Sequence, residues 1–175
     1  GLDVIPSNCL ISAAQLGLNS IAHVRILHLG AADVNGRIRV NNVNNGSVET
    51  ERSATGIEVE VKRCDELIKD YGFFDVVKID VEGFEAQVLK GAQELLSRRP
   101  RLLIELHGDN VEKYGSSYEE LFRLMAASEY EGLMYLNPNN PDATNELVEF
   151  NPELLLRERL HCNLFLRPKK GAVKG

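Results

Sequence analysis

Asp80, Glu82, Glu105 and His107 are the residues of this 175-residue chain whose types and spacing suit chemistry. Three carboxylates and an imidazole are groups from which proton transfer is built, and the unperturbed imidazole titrates near neutrality. The first two stand in the segment Lys78-Ile79-Asp80-Val81-Glu82-Gly83-Phe84-Glu85. That segment sets four charges around two β-branched residues, between an apolar run and a helical pattern. The other two close a second apolar run.

The flanking residues predict the elements that position these groups. Phe74 to Ile79 is a short β-branched run of the kind that forms a strand buried on both faces of a parallel sheet. Val88, Leu89, Ala92, Leu95 and Leu96 recur at helical spacing, with Arg98 and Arg99 at the helix C-terminus and Pro100 closing the pattern. Arg101 to Leu106 reads as a second buried strand. The unit is a right-handed strand–helix–strand crossover, and in open sheets of that kind ligands lie outside the carboxyl ends of the strands. Asp80, Glu82, Glu105 and His107 all fall there. Alternation puts Lys78 and Asp80 on one side of the first strand, and Leu103, Glu105 and His107 on one side of the second. If the strands are neighbours, Lys78 pairs with Glu105 and Asp80 sits near His107. For Lys78 alone, an ion pair that fixes strand register weighs about equally with a functional role. A lone histidine at a strand end is more often packed or solvated than catalytic.

Composition bounds the partners. With 43% hydrophobic residues and a length of 175, the chain is one globular domain over residues 1–168, with a disordered basic tail over 169–175. A net charge of −6 argues against a nucleic-acid backbone as the main partner. Cys9, Cys64 and Cys162 are far apart and lack C-x-x-C spacing, so neither a zinc site nor a disulfide framework is indicated and no metal is assigned; the reading is a reducing, cytoplasmic compartment. No apolar run approaches the length needed to cross a bilayer. The sequence leaves the oligomeric state open.

Elsewhere, Pro6 and Ser7 open a helix bearing Leu10, Ile11, Ala14 and Leu18, and His23 to Leu29 is a strand. Gly36 to Val40 and Ile57 to Val61 alternate with strict period two, as half-exposed strands of an added ribbon do. The Asn45-Gly46 step between them signals a turn. Cys64 to Tyr71 is a short helix ended by Gly72. Ser116 or Ser117, each followed three residues later by a glutamate, caps the next helix. Tyr130 to Leu136 is a strand, Asn137 to Asn151 a loop, and Leu160 to Leu166 an antiparallel closing strand.

Asp75 to His107, with its K-I-D-V-E-G-F-E, L-K-G-A and I-E-L-H elements, resembles the C-terminal signature of the FkbM-type S-adenosylmethionine-dependent methyltransferases. A weaker match covers Leu2 to Pro6, the Asn19 region and Gly30-Ala31-Ala32-Asp33. The resemblance implies an α/β, Rossmann-like class I methyltransferase sheet, here truncated before the second strand. The family's first strand and its D-x-G-A-N-x-G loop would lie before Gly1, so a fragment or a natural truncation is expected. The implied activity is O-methylation, with S-adenosylmethionine as cofactor and a small-molecule or glycan hydroxyl (sugar, lipid-linked or secondary-metabolite) as acceptor. Asp3 would accept the ribose hydroxyls, Ala32 and Asp33 would flank the adenine, and Lys78 is assigned to the cofactor with them. Asp80, Glu82, Glu105 and His107 would serve the acceptor, with His107 as the first candidate base. Two other readings remain: a non-catalytic interaction module of this fold, and a nicotinamide-dependent oxidoreductase, which also uses an acidic residue after its second strand.

Overall fold

The structure, a computed structural model, describes residues 1–41, 46–49, 56–136 and 147–170. The chain enters through β1 (Leu2–Asp3) and α1 (Pro6–Leu18), whose proline occupies the first turn, where no amide hydrogen is needed. The strand expected from His23 is confined to β2 (Leu27–His28), parallel to β1, and is followed by β3 (Gly30–Ala31). The two period-two segments form β4 (Gly36–Asn41) and β5 (Gly56–Lys62), paired antiparallel, with β3 parallel to β5 on its other edge. Their alternation has the predicted cause, since Val40, Val59 and Val61 are buried while Arg37 and Glu58 face outward. The turn predicted at Asn45-Gly46 falls partly on residues 42–45, outside the described ones. α2 (Cys64–Tyr71) ends where predicted, at Gly72 with φ 78°.

The larger sheet carries the remaining strands: β6 (Val76–Ile79), β7 (Arg101–His107), β8 (Tyr130–Leu136), β9 (Leu147–Glu149) and β10 (His161–Pro168), in the order β6-β7-β10-β8-β9. β6 and β7 are parallel, as the crossover requires, and β10 runs antiparallel between β7 and β8. Helices α3 (Glu85–Lys90), α4 (Gln93–Ser97), α5 (Asn110–Lys113), α6 (Tyr118–Leu124) and α7 (Pro152–Glu158) connect these strands. The core beside the sheet is built from fully buried Leu89, Leu102, Ile104, Leu121, Leu155 and Leu164. The fold is therefore α/β as expected, with the strands distributed over three sheets.

Four expectations need correction. The helix read from Val88 to Leu96 is two helices, α3 and α4. At the break, a Cβ on Gly91 would come 1.9 Å from the Ala32 carbonyl oxygen, so the two backbones pack directly. Asp65, from α2, closes the gap: Oδ1 accepts from the amides of Glu94 and Leu95, and its own amide donates to the Gly91 carbonyl. Second, β6 is an edge strand among the described residues, with Val76 52% exposed, so it is not buried on both faces. Third, the segment read as a loop from Asn137 to Asn151 contains β9, and Asn151 caps α7 by accepting from the Leu154 amide; residues 137–146 lie outside the described ones. Fourth, Lys169 is no part of a free tail, since its amide and ammonium donate to the carbonyls of Glu129 and Ser128. Residues 171–175 are outside the described ones.

Candidate functional site

His107, the last residue of β7, is the centre of the site. The residue is 8% exposed, and its Nδ1 lies 2.7 Å from Oε1 of Glu85, a wholly buried carboxylate in the first turn of α3. A carboxylate only accepts, so Nδ1 carries the hydrogen and Nε2 points its lone pair away from Glu85. Around Nε2 stand three further carboxylates: Glu82 Oε2 at 3.6 Å, Glu105 Oε1 at 3.9 Å and Asp80 Oδ1 at 4.0 Å. All three separations exceed hydrogen-bond length. Glu105 also accepts from His161 Nε2 at 3.1 Å. His161 is the register partner of His107 across the β7–β10 ladder, and the two rings lie 4.9 Å apart with a 40° tilt.

The sequence folds this way for local reasons. After β6 the chain must turn at once into α3, and it does so with Glu82 at φ 54° and Gly83 at φ 101°. A Cβ on Gly83 would come 2.6 Å from that of Asn110, so glycine is required for space as well as for its dihedral. The Gly83 amide donates to Glu85 Oε1 at 3.0 Å, tying the turn to the carboxylate that holds His107. Glu105 and His107, two apart on β7, share a face of the sheet.

Electrostatics at His107 are contested. Burial pushes its pKa down, yet the hydrogen bond to Glu85 and the charges of Glu85, Glu82 and Glu105 outweigh burial and raise it above 6.5. The site thus favours a positive charge at the imidazole position.

Asp80, Glu82, Glu105 and His107 are brought together, as their placement at strand ends predicts. Lys78 departs from its expected pairing: its ammonium lies 2.7 Å from Asp80 Oδ2 with the side chain 62% exposed, rather than against Glu105. Its position on the edge strand β6 leaves it solvated. Asp3, at the end of β1, accepts from the Ile5 amide at 2.8 Å and from the Asn8 side-chain amide at 3.1 Å. Ala32 is fully buried against Gly91, and Asp33 follows it, half-buried. A cleft of about 520 Å³ near Asn35, Arg37, Lys62 and Asp70 includes none of the predicted site residues in its lining.

Two residues went unassigned in the sequence reading. Glu85 was visible as the final acid of the K-I-D-V-E-G-F-E element, but its burial is a tertiary fact. His161 was visible only as an alternating residue of the closing strand. Its signal is positional: it falls at the start of a strand that pairs with the one ending in His107.

The crossover, the carboxyl-edge cluster and the antiparallel strand inside the sheet define an α/β fold of methyltransferase type. The Methyltransferase FkbM domain matches residues 5–132, and the chain belongs to that family. The family read from the K-I-D-V-E-G-F-E and I-E-L-H elements is thereby borne out. No curated protein matches the chain. Among solved structures it is similar to the methyltransferase FkbM from Methylobacillus flagellatus KT, at 18% identity and a TM-score of 0.53, over 94% of this chain. The likeness shows the fold, and this chain spans 35% of the length of that one.

Proposed function

We propose that the chain supports methyl transfer to a hydroxyl group of a polyhydroxylated acceptor, such as a sugar or a glycosylated lipid or secondary metabolite. The observation that carries this reading is the convergence of Asp80, Glu82 and Glu105 on Nε2 of a histidine fixed at Nδ1 by a buried carboxylate. Carboxylates in that density accept hydrogen bonds from several hydroxyls at once, which suits a polyol better than an isolated alcohol. They also provide a destination for the proton that the acceptor oxygen must shed. Residues 1–168 serve as the C-terminal portion of a Rossmann-like methyltransferase domain.

S-adenosylmethionine, when bound, supplies the electrophilic methyl group. Asp3 and Asp33 fit its ribose and adenine amino group, because Asp3 ends β1, Asp33 lies two residues beyond β3, and Asp3 Oδ2 is engaged only by the Asn8 amide among the hydrogen bonds described. Lys78, paired with Asp80, and buried Ala32 contribute position rather than contact. Acceptor binding falls to β7 and the β6–α3 turn.

The test is transfer of labelled methyl from S-adenosylmethionine to a panel of sugars and glycolipids by the protein and by His107→Gln. The reading requires a loss of turnover of about 100-fold or more, with cofactor affinity changed by less than about threefold. Full activity in His107→Gln, or transfer confined to non-hydroxyl acceptors, refutes it.

A further inference from the structure

We propose that Glu105, His107 and His161 bind one divalent first-row transition-metal ion, with Glu82 and Asp80 closing on the same ion from the β6–α3 turn. Two imidazoles and a carboxylate form a donor set suited to manganese, iron, cobalt or zinc, and poorly suited to calcium or magnesium.

Geometry carries the assignment. The nitrogen of His107, the nitrogen of His161 and an oxygen of Glu105 all lie within 4.8 Å of one another, as do the ligand atoms of Asp80, Glu82 and His107. Bonds of about 2.0 to 2.2 Å to a common ion place ligand atoms roughly 3.0 to 3.5 Å apart. The 3.1 Å between Glu105 and His161, a hydrogen bond whose hydrogen the ion would displace, already meets this, and the 3.9 Å between Glu105 and His107 closes with a small side-chain rotation. All three residues of the first set sit on paired strands, with His107 opposite His161 in the ladder, so their backbones are rigid relative to one another. Because both sets share the single Nε2 of His107, they describe one ion and not two.

The support behind His107 points the same way. The residue is more than nine-tenths buried, and its Nε2 faces the carboxylates of Asp80, Glu82 and Glu105 at 3.6 to 4.0 Å, wider than a hydrogen bond. Its other nitrogen is held by the wholly buried Glu85, the carboxylate–imidazole support that orients metal-ligating histidines and fixes their tautomer.

What the ion does rests on the methyl-transfer reading: it binds the acceptor oxygen and lowers its pKa. The hydroxyl proton would then pass to the Glu82 carboxylate oxygen that is not on the ion, since Oδ2 of Asp80 is held by Lys78. Binding of the ion does not depend on that reading and is measured without cofactor or acceptor.

The chain has four histidines, and His23 and His28 are exposed and outside the site. Zn²⁺ added in stoichiometric amount to chelator-treated protein should shift the ring proton resonances of His107 and His161 and leave those of His23 and His28 in place. Equal shifts of all four, or shifts of none, overturn the proposal. Calorimetry with Zn²⁺ should show about tenfold or greater weakening in His161→Gln, a variant whose fold is checked by circular dichroism. Unchanged affinity in a folded His161→Gln overturns it as well. If metal binds as stated and methyl transfer is not observed, the functional reading falls and the metal site stands.

Discussion

Glu85 and His107, 22 residues apart in sequence, meet in the interior through a 2.7 Å contact between Oε1 and Nδ1. The contact ties the N-terminus of α3 to the carboxyl end of β7, so the two halves of the crossover lock at the place where the chemistry sits. Its partner oxygen, Glu85 Oε2, is buried without a hydrogen-bond partner, which makes the 2.7 Å contact the main compensation for burying the carboxylate.

Glu85→Ala should therefore be costly. Removing one partner of a buried charge pair destabilises by about 3 to 5 kcal/mol, read as a lowered urea midpoint. Glu85→Gln keeps the shape and one acceptor, and should lose clearly less. Equal, small losses in both variants would show that the contact contributes packing only.

The raised pKa of His107 predicts the pH dependence of stability in chelator-treated protein. A histidine whose folded pKa lies above its unfolded one binds its proton more tightly when folded. Its contribution is fully present below the unfolded pKa, near 6.5, and fades as pH rises through the higher folded value. Urea midpoints at about pH 5 and about pH 9 should differ more in the native protein than in His107→Gln. A native protein that gains stability relative to the variant on going to alkaline pH contradicts this sign.

Gly91→Ala should destabilise by about 1 to 3 kcal/mol, the range for overpacking, because the new methyl meets the Ala32 carbonyl rather than a movable side chain. Asp65→Ala, which uncaps α4 at two amides, should cost about 1 to 2 kcal/mol. The two sites touch the same break between α3 and α4, so the double variant should lose less than the sum. Strict additivity in thermal or urea denaturation would separate them.

Asp3→Asn should weaken S-adenosylmethionine binding by about tenfold or more while leaving turnover at saturating cofactor within about threefold, since ribose contacts are shared by ground and transition states. Calorimetry and initial rates check it together. A fall in saturated turnover with unchanged affinity would place Asp3 outside the ribose site.

What could be read from the sequence follows the range of the interaction involved. The crossover around Asp80 and His107, the span of β8, the Gly72 stop and the Ser117 cap depend on neighbours within a few residues, and each stands where the pattern put it. Strand alternation also brought Asp80 to His107 correctly. The split between α3 and α4 was hidden because apolar spacing runs unbroken through it, and its causes are Ala32 and Asp65, distant in the chain. Lys78 was misjudged because exposure of a strand depends on which strands flank it, a property of the sheet and not of the run. Glu85 and His161 escaped for the same reason: their roles arise from contacts spanning 22 and 56 residues.

β10 lies between β7 and β8, although it follows both in the chain. During translation, the edges of β7 and β8 that will face β10 emerge first and have no ladder partner until residues 161–168 leave the ribosome. Until then the nascent chain exposes two open strand edges rich in leucine, the kind of surface that pairs with the wrong neighbour. The strand that fills this gap also delivers His161. Closing of the sheet and completion of the histidine pair are thus one event.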